Sequence, residues 1–166
     1  YNGSQSSTAA GKPKDCYLRD CEIVSNLRGI FINGAINATF EGNTFRMPGA
    51  SNGYIAHAIM GNAQTGTITV RKNKFTELKT NNVNAGSYGI RAITATGGAT
   101  KWVIENSYFG GIDAIQASAA NKNMLLTYIW CSDLCEMRHN TFHMPALSYK
   151  PSSALDSSDP IACVRL

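Results

Sequence analysis

Three arginines, Arg19, Arg71 and Arg138, each take the second place in a recurring six-residue figure. Two aromatic residues, Tyr17 and Trp102, stand two positions upstream of that place, and Arg91 joins them from a following apolar segment. A guanidinium meets a carboxylate with two parallel hydrogen bonds, and an aromatic face accepts a cation or the C–H face of a sugar. Residues of these types repeated along one line would suit contact with an acidic polysaccharide, and they are equally what an ordinary solvated sheet face carries. Catalytic chemistry has fewer carriers. His57, His139 and His143 are the candidate bases, but His139 falls in a turn, and the 11 acidic residues are scattered. Asp156 and Asp159 are near neighbours only within a Ser-rich stretch. No catalytic residue is assigned from these patterns.

The five cysteines leave at least one thiol unpaired. Cys16 and Cys21 are separated by extended chain at about 3.3 Å per residue, which carries their Cα atoms past the reach of a disulfide. Cys131 and Cys135 can pair only if Ser132-Asp133-Leu134 folds back. No second Cys or His pair accompanies either spacing, so no metal set and no cofactor is implied.

The elements that must position these groups are visible as a repeat. Val70-Arg71-Lys72-Asn73-Lys74-Phe75 recurs as Leu18-Arg19-Asp20-Cys21-Glu22-Ile23, Phe40-Glu41-Gly42-Asn43-Thr44-Phe45, Val103-Ile104-Glu105-Asn106-Ser107-Tyr108 and Met137-Arg138-His139-Asn140-Thr141-Phe142. Its fourth places fall at 21, 43, 73, 106 and 140, steps of 22, 30, 33 and 34 residues. Fixed-period helical arrays do not vary in this way. Period-two alternation in Thr67-Ile68-Thr69-Val70-Arg71 and Ala38-Thr39-Phe40-Glu41 specifies strands. A second strand follows each figure, at Gly29–Ile32, Ala58–Met60, Gly89–Ala92, Ala114–Ala117 and Ile161–Val164.

Two strands per coil joined by an Asn-bearing turn imply parallel sheets stacked along one axis. Ile68, Val70, Ala38, Phe40, Cys16, Leu18, Val103 and Met137 then point inward. Phe45, Phe75, Tyr108 and Phe142 stack past the turn, while Asn43, Asn73, Asn106 and Asn140 occupy one corner as a structural ladder. The outward columns read Arg19, Glu41, Arg71, Ile104, Arg138 and Tyr17, Thr39, Thr69, Trp102, Glu136; second strands expose Phe31, Met60, Arg91 and Gln116. Segments 46–54, 76–88 and 143–160 read as loops leaving one corner, and 118–134 as an insertion folding back over a side or an end.

This figure resembles that of the right-handed parallel β-helix of the pectate-lyase-like superfamily, over residues 15–166. The resemblance implies an all-β, right-handed β-solenoid of about five coils with an Asn ladder and inserted loops. Proteins of that fold include polysaccharide lyases and hydrolases, tailspikes and bacterial surface proteins. Family lyases use an Arg or Lys base, often with calcium held by clustered carboxylates, and family hydrolases use paired Asp residues. Neither motif is present here, so no family catalytic residue carries over.

Length and composition set the remaining bounds. The 166 residues, 17.9 kDa, suit a single domain, with 1–14 as an N-terminal extension. A first residue of Tyr rather than Met reads as a segment of a longer protein or assembly. Net charge is +4 with scattered Lys and Arg, unlike the dense patch of a nucleic-acid binder. No run reaches the roughly 18 apolar residues of a membrane span. The sequons Asn2-Gly3-Ser4 and Asn37-Ala38-Thr39 carry little weight in an Asn- and Thr-rich chain.

The function expected from these features is a non-catalytic structural or glycan-contacting module of an extracellular, cell-surface or virion protein. Its partners would be a polysaccharide at Tyr17, Arg19, Arg71, Arg91, Trp102 and Arg138, or further copies stacked end to end. The alternatives are a polysaccharide lyase or hydrolase whose active site is incomplete in this chain, and a self-assembling fibre subunit.

Overall fold

The computed structural model describes residues 13–25, 28–50, 56–80, 89–96, 100–114, 123–130, 133–143 and 161–165. Every regular element among them is a strand. In chain order they are β1 (Lys14–Arg19), β2 (Glu22–Val24), β3 (Arg28–Asn33), β4 (Ile36–Glu41), β5 (Thr44–Ala50), β6 (Ala56–Asn62), β7 (Thr65–Arg71) and β8 (Lys74–Thr80). Then follow β9 (Gly89–Thr96), β10 (Thr100–Glu105), β11 (Tyr108–Phe109), β12 (Ile112–Ala114), β13 (Asn123–Trp130), β14 (Leu134–Arg138), β15 (Thr141–Phe142) and β16 (Ile161–Arg165).

The strands form three parallel sheets. Sheet A runs β1-β4-β7-β10-β14, sheet B runs β2-β5-β8-β11-β15 with β12 also on β8, and sheet C runs β3-β6-β9-β13-β16. The chain visits A, B and C in turn on every pass, the path of a β-solenoid. Parallel neighbours about 4.8 Å apart force like positions of successive passes into columns.

Three sheets, rather than two strands per coil, follow from where the figure lies. Its first two residues end a strand of sheet A and its last two begin a strand of sheet B. The third residue makes the corner in a left-handed conformation: Asp20 (φ 52°), Gly42 (φ 68°), Lys72 (φ 56°), Asn106 (φ 50°) and His139 (φ 52°). Gly42 meets this demand without strain, and a side chain there would also run into the Asp20 carboxylate.

The columns correct the expected register on the fourth pass by one residue. Ile104 pairs with Val70 and Met137, and Phe109 with Phe75 and Phe142. Ile104, not Val103, therefore opens the figure there. The inner face of sheet B carries Phe45, Phe75, Phe109 and Phe142, with centroids 4.9, 4.7 and 4.9 Å apart and rings within 9° of parallel. Phe109 takes the place expected for Tyr108. Each such contact adds roughly 0.5–1.5 kcal/mol beyond the burial of the rings. Sheet A supplies Phe40, Ile68, Val70, Trp102 and Ile104 to the same core, and sheet C supplies Ile59, Ile93 and Ile129.

Other expectations also change. Arg46–Ala50 and Thr76–Thr80, read as loops, extend β5 and β8. Asn123–Trp130, read as part of an inserted flap, is the sheet C strand of the fourth pass. Ala114 ends β12 on sheet B instead of opening a sheet C strand, and 115–117 lie outside the described residues. Cys16 keeps its inward place, paired with Ala38 of the core, yet it is exposed, because among the described residues no strand covers the far side of β1.

Candidate functional site

The corner between sheets A and B ties the passes together. The Asn43 Oδ1 accepts the Cys21 N–H at 3.0 Å while its Nδ2 donates to the Leu18 carbonyl at 3.0 Å. Asn73 does the same one pass on, accepting from the Asn43 N–H at 2.9 Å and donating to the Phe40 carbonyl at 2.8 Å. Asn140 accepts from Ser107 N–H at 3.0 Å and donates to the Ile104 carbonyl at 2.8 Å. Each amide thus reaches back to the preceding pass with both ends, satisfying buried groups that would cost about 1–3 kcal/mol each if left unpaired.

On the fourth pass the residue in this place is Ser107, not Asn106. The Ser107 Oγ accepts the Asn73 N–H at 3.2 Å and donates to its own strand's Glu105 carbonyl at 3.0 Å. Asn106 is exposed and makes the corner through its φ, with its backbone N–H on the Arg138 carbonyl.

The outer face of sheet A carries the residues proposed to meet a glycan. With the register set by Ile104, one outward column reads Tyr17, Thr39, Thr69, Val103, Glu136, and the other Arg19, Glu41, Arg71, Glu105, Arg138. Trp102 turns inward instead: it is 0 % exposed, packed in the core, and offers no ring to a ligand. The second column alternates in charge. Glu41 lies 2.9 Å from Arg71, 3.4 Å from Lys72 and 3.6 Å from Arg19. Arg138 lies 3.4 Å from Glu105 and 3.3 Å from Glu136, which also meets Lys101 at 2.8 Å. The Arg71 hydrogen bond holds the Glu41 carboxyl below the usual range, and the Lys101 hydrogen bond does so for Glu136. The guanidiniums of Arg19, Arg71 and Arg138 are thus engaged with carboxylates of neighbouring passes. Arg19 also lies over the exposed Tyr17 ring, 5.1 Å from its centroid. Arg91 belongs to β9, and its side chain is outside the described residues.

Sheet B has a different outer face. Glu22, Thr44, Lys74, Tyr108 and Thr141 form one column, and Val24, Arg46 and Thr76 begin the next. Arg46 bridges Glu22 and Glu77, each at 2.8 Å, with the Glu22 hydrogen bond the larger cause of its raised pKa. Glu77 reaches Arg46 because it is an extra residue in β8 with φ 51°. The Tyr108 hydroxyl lies 3.3 Å from His143 Nδ1, and an open depression of about 580 Å³ is lined by Lys72, Asn73, Lys74, Thr76, Asn106 and Tyr108.

Among the other candidates, His57 is buried and its Nδ1 stands 2.9 Å from Thr94 Oγ1 on sheet C. Asn37 accepts from the Thr67 N–H and donates to Asp15, so its amide is occupied in a corner. Among the described residues no group of three or more His, Cys, Asp or Glu comes together to hold a metal. Charge order could have revealed the fourth-pass register from sequence, because Glu105 in second place gives Arg, Glu, Arg, Glu, Arg.

No protein-family model matches the chain, and neither a curated protein nor a solved structure is a significant match.

Proposed function

We propose that this chain is a rigid, non-catalytic structural module: a right-handed parallel β-helix of five coils in an extracellular, cell-surface or virion protein. Asn43, Asn73, Ser107 and Asn140 are its ladder. The observation that carries this reading is the engagement of the outward arginines of sheet A. Arg19, Arg71 and Arg138 brace one coil against another through Glu41 and Glu105. An acidic polysaccharide would have to displace those carboxylates, which removes the main gain from binding at this face.

The same column weighs against in-register stacking of copies. Among the described residues Arg19 and Arg138 lie on the two outermost strands of sheet A, and a stack joining these strands would set like charges against each other. The protein should sediment without concentration-dependent filaments.

Incubation with neutral, uronate and sulfated polysaccharides, followed by reducing-end and unsaturated-uronate assays, tests the non-catalytic reading. No product is expected. Product that disappears in Arg71→Ala or Arg138→Ala would overturn it in favour of a lyase or hydrolase.

A further inference from the structure

We propose that the depression on the outer face of sheet B binds a sugar bearing a sulfate or phosphate group, with the Tyr108 ring under the sugar and Lys74 and Lys72 at the anion. The site goes beyond the structural role and lies on a different face from the bracing arginines.

The ring is placed by its own strand. Tyr108 and Gly110 point the same way, two residues apart. A Cβ added at Gly110 would stand 2.6 Å from Tyr108 Cζ, so the phenol lies down over the glycine along the sheet surface. His143 Nδ1, 3.3 Å from the hydroxyl, holds the far end. A half-buried aromatic face lying along a sheet is a platform for the electropositive C–H face of a sugar ring.

The cations come from the preceding pass. Lys74 is directly opposite Tyr108 in the parallel register, and none of the ion pairs among the described residues involves it. Lys72 is 66 % exposed and reaches Glu41 at 3.4 Å, but it shares that one carboxylate with the closer Arg71 and with Arg19. Of the other carboxylates, Glu77 and Glu22 share Arg46, and Glu105 is held by Arg138. Positive charge is therefore left uncompensated at one end of a flat ring. Thr76 and Asn106 line the same depression and can meet sugar hydroxyls. Two ammonium groups act as point charges and suit a tetrahedral oxyanion, whereas planar carboxylates favour the guanidinium fork.

Isothermal titration of the whole chain with a sulfated disaccharide, glucose 6-phosphate, glucuronate, glucose, inorganic phosphate and a short oligonucleotide tests the site. Binding of the sulfated disaccharide, the sugar phosphate or both is expected, and the two arms tell which source is preferred. Lys74→Ala and Tyr108→Ala should each weaken it by about tenfold, a loss near 1.4 kcal/mol. Gly110→Ala should also weaken it by lifting the ring, while Tyr108→Phe keeps the platform and retains binding. Lys101→Ala removes the same charge from sheet A and should change affinity less than about twofold, inside the effect of a distant rim charge. Equal loss in Lys101→Ala and Lys74→Ala would overturn the site. So would preference for glucuronate, glucose, phosphate alone or the oligonucleotide, or no binding at all. Thermal melts of each variant separate loss of binding from loss of fold.

Discussion

On the third pass of the chain Asn73 and Phe75 are 2 % and 0 % exposed, closed in from both sides. On the first pass the same two places hold Cys21, which is exposed, and Ile23, which is partly buried. The corner side chain works backwards: Asn43 bonds to Cys21 and Leu18, and Asn73 to Asn43 and Phe40. Among the described residues no strand precedes β1 in sheet A, and none offers Cys21 an earlier backbone to bridge. Its thiol hydrogen goes instead to the Arg19 carbonyl two residues away. The figure is one pattern, but each place in it is worth only what lies on either side.

The largest expected effect tests that difference in the core. Phe75 stacks on both Phe45 and Phe109, and Phe75→Ala should cost about 3–5 kcal/mol in urea unfolding. Ile23→Ala, with its ring partner on one side only, should cost about 1 kcal/mol. Equal losses would break the comparison. At the corner, Asn73→Ala leaves the Asn43 N–H and the Phe40 carbonyl without their partners, a loss of about 2–3 kcal/mol. Cys21→Ala should stay within about 0.5 kcal/mol of the unmodified protein.

How much of this was legible in the sequence depends on the residue. Asn43, Asn73 and Asn140 could be placed from the figure alone, as could Phe45, Phe75 and Phe142, because each sits between unambiguous neighbours. The fourth pass could not. Val103-Ile104, Asn106-Ser107 and Tyr108-Phe109 each offer two similar residues where the figure needs one, and a slip of one reverses every side chain. Trp102 then moves from surface to core. The arginines were half legible: the outward column already set Glu41 between Arg19 and Arg71, a contact across 30 residues of chain, but the slip put Ile104 where Glu105 meets Arg138. The sheet B depression was hidden by the same slip, since it turned Tyr108 inward and away from Lys74.

A gain should be available where the corner is incompletely bridged. Ser107 accepts from Asn73 but directs its own hydrogen to Glu105 in the same pass. An amide there has the Val70 carbonyl in the position that Phe40 and Ile104 occupy for Asn73 and Asn140. Ser107→Asn should therefore raise stability by about 1 kcal/mol. A loss would mean that the corner is narrower on the fourth pass than on the third.

The smallest effect lies on the outer face, where Glu41 joins the first and third passes through Arg19 and Arg71. Hydrogen bonding from Arg71 lowers the folded-state pKa of Glu41 below its unfolded value, despite the opposing effect of burial. Stability from this carboxylate is therefore complete above about pH 4.5, its ordinary value, and disappears as the pH falls through the lowered one. Glu41→Gln should be less stable than the unmodified chain at pH 7, with the gap closing in acid and narrowing in high salt. The two arginines divide this unequally, Arg71 at 2.9 Å and 39 % exposed against Arg19 at 3.6 Å and 53 %. Arg71→Ala should remove most of the pH dependence and Arg19→Ala little of it, read from thermal melts between pH 2 and pH 7. If Arg19→Ala flattens the curve as much as Arg71→Ala, the edge of sheet A is braced as firmly as its middle, and the contrast between the passes is confined to the core.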